Sequence, residues 1–305
     1  MLTHTSVSPS RPERVVVLGS RGFVAGHLLA QLARDGVPAV GLGSMDMDLT
    51  APGAGAVLGS RLQPSDALVF VSALTPDKGK NIATLMRNLR MGEAVAVALA
   101  AQPVAQVVYV STDAVYHDDA NPVSERACCQ PASLHGVMHM ARERMLIETL
   151  RTSGTPLAIL RPALLYGPGD THNGYGPNRF LRLALAGQPI SLFGGGAEQR
   201  DHVFIEDLTK LLSLVLAHRS AGVLNVATGQ SASFAEIARL AVETSRSVSR
   251  VLTTSRANPT TYRHFDVSAR IAAFPVFRFT SLKEGLSSMW QWLDEGKRLE
   301  SIARP

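Results

Sequence analysis

The run Val15-Val16-Val17-Leu18-Gly19-Ser20-Arg21-Gly22-Phe23-Val24-Ala25-Gly26 decides the fold. Four apolar residues in a row read as a strand buried on both faces. The glycines read as a sharp turn, and Leu28, Leu29 and Leu32 then follow at helical spacing. Strand, glycine turn and helix in that order form a cradle for a pyrophosphate. Glycine lets the backbone approach closely, and the free amides at the helix start carry the positive end of its dipole. Glycine also serves turns that bind nothing, so the turn gains weight only from what surrounds it.

Outward from this turn, strand-like and helix-like runs alternate: 14–18, 22–34, 37–42, 67–72, 82–101, 107–111, 132–152 and 157–161. Such alternation predicts an α/β fold with a doubly wound parallel sheet over 14–170. A Gly/Pro-rich stretch from Tyr166 to Pro177 breaks the rhythm. A helix is expected over 178–186, a return to the sheet around 200–229, and helices at 234–243 and 281–293. Segments 171–199 and 230–305 are therefore assigned to a smaller C-terminal substrate-binding domain. Residues 1–13, rich in Ser, Thr and Pro, read as a disordered tail.

Composition narrows the class. A chain of 305 residues with 46% hydrophobic content builds a sizeable core. The two cysteines, Cys128 and Cys129, are adjacent, a spacing that rarely permits a disulfide, so reduced thiols in a cytoplasmic setting are expected. No apolar run reaches the roughly 20 residues of a membrane span. The net charge of +5 is spread without a dense basic cluster, which favours small anions over nucleic acid as partners.

Further motifs follow in a fixed order: Asp48-Leu49-Thr50, Asn88, Val110-Ser111-Thr112-Asp113-Ala114-Val115-Tyr116, Leu160-Arg161-Pro162, Tyr166-Gly167-Pro168-Gly169-Asp170, Arg200-Asp201 with Asp207-Leu208, and Leu224-Asn225-Val226-Ala227-Thr228-Gly229. Together they resemble the extended short-chain dehydrogenases/reductases of the NAD-dependent epimerase/dehydratase family, from Arg14 to Gln291. The resemblance implies a Rossmann domain that binds NAD(P), a nucleotide-sugar ligand, and homodimers paired through the helices at 82–101 and 132–152. Gly19, Gly22 and Ala25 match the three glycine positions. Arg21, Phe23, Val24, Asp48, Leu49, Ala73 and Asn88 join them as candidate cofactor contacts. The acidic residue expected about 20 residues beyond the glycines, on the adenosine ribose, is replaced by Leu42-Gly43-Ser44. With Arg21 available to a 2′-phosphate, the reading leans from NAD to NADP, although a short loop shift would return Asp46 to the ribose.

The catalytic segment departs from the family. Its members use a tyrosine to exchange a proton with a sugar hydroxyl, and a lysine four residues later to lower that tyrosine's pKa of about 10. None of the five tyrosines here has a lysine four positions on. Alignment of Pro131, Ser133 and Gly136 puts His135 at the tyrosine position and His139 at the lysine position. Three readings stay open. His135 is the acid/base, with Thr112 orienting substrate and His139 bonding the ribose, because imidazole titrates near 6.5 unaided. Alternatively the pockets persist in a catalytically silent binding module. Thirdly, the pair faces one way on a helix and coordinates a metal, with Glu143 or Asp113 as a weak third ligand.

Asp113 matches the acid of the sugar-nucleotide dehydratases, but Ala114 stands where they carry a glutamate. Elimination of water is therefore disfavoured, and a 4-epimerase or ketoreductase is expected. Arg200 matches a family arginine that binds the diphosphate, a task suited to a forked guanidinium. Asn178, Arg179, Arg182 and Arg263 are candidates for the same pocket, and His172 and Tyr175 lie in the variable loop.

Overall fold

The computed structural model describes residues 1–256 and 260–302. The parts of the C-terminal assignment at 257–259 and 303–305 lie outside the described residues. In chain order the strands are β1 (Thr3–His4), β2 (Arg14–Leu18), β3 (Ala39–Leu42), β4 (Asp66–Phe70), β5 (Gln106–Val110), β6 (Leu157–Pro162), β7 (Leu164–Tyr166), β8 (Ile190–Phe193), β9 (Gln199–Phe204), β10 (Ser220–Val226), β11 (Ser231–Ser233) and β12 (Val251–Thr254). The helices are α1 (Phe23–Arg34), α2 (Ala54–Arg61), α3 (Ile82–Ala101), α4 (Leu134–Leu150), α5 (Pro177–Leu185), α6 (Ile205–Ala217), α7 (Phe234–Ser245), α8 (Ser268–Ala273) and α9 (Leu282–Ile302).

Seven strands form one sheet in the order β1-β10-β6-β5-β4-β2-β3, all parallel except β1. Val15–Leu18 and all of β4 and β5 are buried, as expected when helices cover both faces of a parallel sheet. On one face Ala25, Leu28 and Leu32 of α1 pack with Leu208, Leu211 and Val215 of α6. On the other, Leu58 of α2, Val95 and Leu99 of α3, and Leu146 of α4 form the second core layer. Strand β2 has β3 on one side and β4 on the other, so the chain reverses direction across the sheet at the end of β2. Open α/β sheets bind ligands at such a point.

The smaller region is built on α5, α7 and α9 around Phe180, Leu181, Phe234, Ile237 and Met289. It carries a three-stranded sheet, β11-β9-β7, and the pair β12-β8.

Two expectations need correction. The residues read as a disordered tail are ordered: β1 pairs with β10, Leu2 is buried, and His4 bonds Ser220 and the Ala273 carbonyl. The Ser/Pro composition concealed these anchors. The return to the main sheet also begins later than 200, because β9 belongs to the small sheet and the crossing runs through α6 into β10.

Helix α4 joins the core through charge as well as through apolar contact. Its inner face is polar, with His139, Arg142 and Glu143 all buried. Glu143 bonds Arg161 Nε and Nη2 at 2.9 and 2.5 Å and accepts from Ser111 Oγ at 2.5 Å. Arg161 reaches Tyr116 Oη at 2.9 Å, which donates to Asn225 at 2.7 Å. Breaking one side of a buried pair leaves the other charge uncompensated. Arg161→Met is therefore expected to destabilise the fold by about 3–5 kcal/mol, measured by urea unfolding. The double variant Arg161→Met/Glu143→Met should recover much of the loss, and equal destabilisation in single and double variants would count against this coupling.

Candidate functional site

The glycine turn fits a phosphate-bearing ligand. Gly19 has φ 96°, and a Cβ there would sit 2.9 Å from the Ser72 Cα, so β2 and the chain leaving β4 meet backbone to backbone. Gly22 precedes α1 with no side-chain cap, and the first turn of α1 holds no acidic residue. The amides of Phe23, Val24 and Ala25 thus present the positive helix end without an internal competitor. Arg21 is exposed on the turn.

Asp46 closes the corner that looked empty in the sequence. Its carboxylate accepts from the Gly43 amide at 2.8 Å, at the end of β3. A Cβ on Gly43 would lie 2.9 Å from Ser20 Oγ and 3.6 Å from Arg21 Cγ. The loop after β3 thus turns back so that the Asp46 carboxylate stands near the glycine turn. Other candidates hold the frame instead. Asp48 accepts from the amide and hydroxyl of Thr50, bonds that lower its pKa. Leu49 is buried in the core. Asn88 spends its amide on both backbone groups of Leu74, at 2.9 and 3.0 Å, and so fixes the loop after β4 next to half-buried Ala73.

Helix α4 starts with Ser133, whose side chain caps the Gly136 amide at 3.1 Å. Gly136 lies so close to the Ala114 carbonyl that any Cβ would collide with it. That contact clamps the start of α4 onto the turn that follows Thr112 and Asp113. The rings of His135 and His139 stand edge to face at 4.6 Å. His139 is buried, with Nδ1 2.7 Å from the Tyr109 hydroxyl. Burial pushes Tyr109 far above its ordinary pKa, so the phenol stays protonated and donates. His139 is then the tautomer with its proton on Nε2.

His135 makes no hydrogen bond to another described residue, leaving its ring nitrogens to a ligand. Burial, with smaller contributions from the charges of Arg142 and His172, lowers its pKa to about 4. His139 is held well below 6.5 by burial, His135 and Arg142. Both imidazoles are neutral at pH 7. A cleft of about 360 Å³ opens beside His135 between the starts of α3 and α4, with Leu74, Asn81, Thr84, Ser133 and Met138 in its walls.

Thr112 accepts from the Ala114 amide at 3.2 Å, so the threonine rather than Asp113 caps the turn. Asp113 pairs instead with Arg263 at 3.1 Å. Burial raises the Asp113 pKa against the pull of Arg263 and, more weakly, Arg200. A candidate acid and a candidate substrate residue thus neutralise one another. Arg200 pairs with Glu198, bonds Thr261, and senses the charges of Arg263, Asp113 and Arg256. Asn178 is buried and bonds Gly167 and Asp170, so it shapes the loop. Arg182 likewise bonds Asn173 and the Asp170 carbonyl. Arg179 is exposed near Tyr175. Among the described residues no group of three potential ligands could hold a metal, and Glu143, one of the two weak candidates for a third ligand, is committed to Arg161.

Two residues were not picked out in the sequence as parts of this site, and a third, His172, was placed in the variable loop without a role. Arg142 bonds the Asn88 carbonyl at 2.6 and 3.0 Å and the Ser72 carbonyl at 2.8 Å, with its guanidinium over Phe70. Its position three residues after His139, on the same face, was the available signal. Arg256 shares Glu198 with Arg200, at 2.5 Å, and nothing in its local sequence marks it. His172 pairs with Asp77 and acts on His135 through space, although its loop gave it no role in advance.

Comparison with known proteins bears on the fold and the family. A curated relative, an uncharacterized UDP-glucose epimerase, YtcB, of Bacillus subtilis (strain 168), is 27% identical over 184 residues, 59% of this chain and 58% of the relative. The chain thus matches somewhat over half the length of that relative. The fold matches MoeE5 in complex with UDP-glucose and NAD, with TM-score 0.79 and 23% identity over 93% of this chain and 99% of that one. It also matches the Thermus thermophilus UDP-glucose 4-epimerase complex with NAD, with TM-score 0.82 and 20% identity over 92% and 99%. The family model for the NAD dependent epimerase/dehydratase family matches residues 15–227. With glycine turn, switch point and arginine cluster in place, the chain belongs to that family.

Proposed function

We propose that the chain is an NAD-dependent epimerase of a nucleotide-diphosphate sugar, with His135 in the proton-transfer role and His139 positioning it. The observation that carries this reading is the resting state of His135: a neutral imidazole, without a hydrogen bond among the described residues, beside a cleft and next to the Gly136 that abuts Ala114. The nicotinamide cofactor supplies a hydride acceptor and donor when bound. With it bound, His135 would take the proton of the sugar hydroxyl and return it to the same oxygen as the cycle closes. The cycle starts from a base and ends with the base restored. A neutral histidine is ready for that order of events. Likeness to a relative named as a UDP-glucose epimerase supports epimerisation over reduction. Elimination is disfavoured further, since Asp113 is held by Arg263 and Ala114 offers no carboxylate.

His139, fixed by Tyr109, leaves an Nε2–H to donate to a ribose hydroxyl. Gly19, Gly22 and the amides of Phe23 and Val24 would take the pyrophosphate, and Asp46 the adenosine ribose. A carboxylate there repels a 2′-phosphate, so NAD is preferred despite Arg21. The cluster of Arg200, Arg256 and Arg263 supports a diphosphate ligand, since a forked guanidinium matches phosphate oxygens.

Two outcomes are expected. With NAD present and a panel of nucleotide sugars followed by NMR, one sugar and its 4-epimer should interconvert, and His135→Ala should lower kcat by about 10²–10⁴-fold. Nicotinamide and sugar binding without turnover would instead favour the silent binding module, and unchanged turnover in His135→Ala would sink the assignment of the base. Asp46→Ala should move the NAD/NADP affinity ratio by about tenfold toward NADP, read by titration calorimetry. An unmoved ratio would remove Asp46 from the ribose site.

A further inference from the structure

A second cleft, of about 670 Å³, lies in the small region between β9, β11, the start of α7, α8 and the segment 275–282. Two of its groups have a buried nitrogen without a hydrogen-bond partner, and a third carries a charge with no acid paired to it among the described residues. Arg270, on α8, is 8% exposed, and its buried Nε has no hydrogen-bond partner. Its guanidinium lies over the Phe279 ring, 5.4 Å from the centroid. Arg278 gives Nη1 to the carbonyls of Pro275 and Phe277. Neither arginine has an ion pair among the described residues. His202, on β9, is 6% exposed; Nδ1 faces the Arg200 carbonyl at 3.2 Å, while Nε2 is buried and unpartnered.

The surrounding carboxylates do not compensate these charges. Asp207 is bonded to the amide and hydroxyl of Thr280, Glu284 to Ser281, and Asp201 to Thr228 and Gly229. Glu236 is the acidic residue in the cleft wall, and it bonds neither arginine. Burial and the charge of Arg278 both lower the pKa of Arg270, with no acid opposing them. A buried cation without a counterion is costly, and buried polar groups in folded proteins almost always find partners.

We propose that this cleft binds a small hydroxylated organic anion, its phosphate or carboxylate held between Arg270 and Arg278 and a hydroxyl donating to His202 Nε2. The hydroxyl follows from the ring: Nδ1 next to a carbonyl must carry the proton, so Nε2 accepts. Phe279 and Ile271 supply an apolar wall for the carbon skeleton. The site is separate from the arginine cluster around Glu198 and does not depend on the proposed epimerase activity.

Titration calorimetry on the full chain, with glycerol 3-phosphate and with glycerate, separates phosphate from carboxylate and tests the site. At least one should bind, with affinity reduced about tenfold or more in Arg278→Gln and in His202→Phe, and unchanged in Arg200→Gln. Circular dichroism of each variant establishes that it is folded. Failure of both probes to bind, unchanged affinity in folded Arg278→Gln, or loss of binding in Arg200→Gln would overturn the proposal.

Discussion

The guanidinium of Arg142 sits where the end of β4, helix α3 and helix α4 meet, and the site takes its shape from that junction. Gly92 makes the room, since a Cβ there would lie 2.9 Å from Arg142 Cγ. The guanidinium holds the carbonyls of Ser72 and Asn88. Ser72 in turn abuts Gly19, so the histidine helix is linked through two contacts to the cofactor turn. Backbone carbonyls satisfy its hydrogen bonds without neutralising its charge. That charge, inside a low-dielectric core, acts on everything nearby.

Its effect is clearest on the two histidines. In the family pattern a lysine lowers the pKa of a tyrosine. Here burial, with a smaller push from the Arg142 charge, lowers the pKa of two imidazoles. Tyrosine needs help to lose a proton near neutrality, whereas an imidazole of ordinary pKa is already mostly neutral at pH 7. His139 has lost the lysine's charge but gains an anchored tautomer from Tyr109. In the proposed function, the lysine's two roles, electrostatic tuning and ribose bonding, fall to Arg142 and His139 separately.

Much of this was legible in the sequence, and the exceptions have physical causes. Continuous apolar runs flanked by Gly and Pro located β2, β4, β5 and β6 because parallel strands are buried on both faces. Helix α3 matched its expected span, but α2 was missed. Its Gly55 and Gly59 weaken helix propensity, and Gly55 is there to admit Val97 of α3. The amphipathic rule fails for α4, whose buried face carries a salt bridge and a guanidinium. Asp46 was legible only as an alternative, since its role depends on a loop turning back to Gly43. Pairings distant in sequence, such as Asp113 with Arg263 or Arg256 with Glu198, leave no local mark. They changed the roles of residues that spacing alone had sorted.

Everything proposed for catalysis rests on His135 being a neutral base at physiological pH. Nitrogen-15 NMR of histidine-labelled protein, with the His135 signal assigned by its loss in His135→Asn, measures this directly. An unprotonated ring at pH 7 and a titration midpoint near 4 are expected. A ring protonated at pH 7 would contradict that assignment.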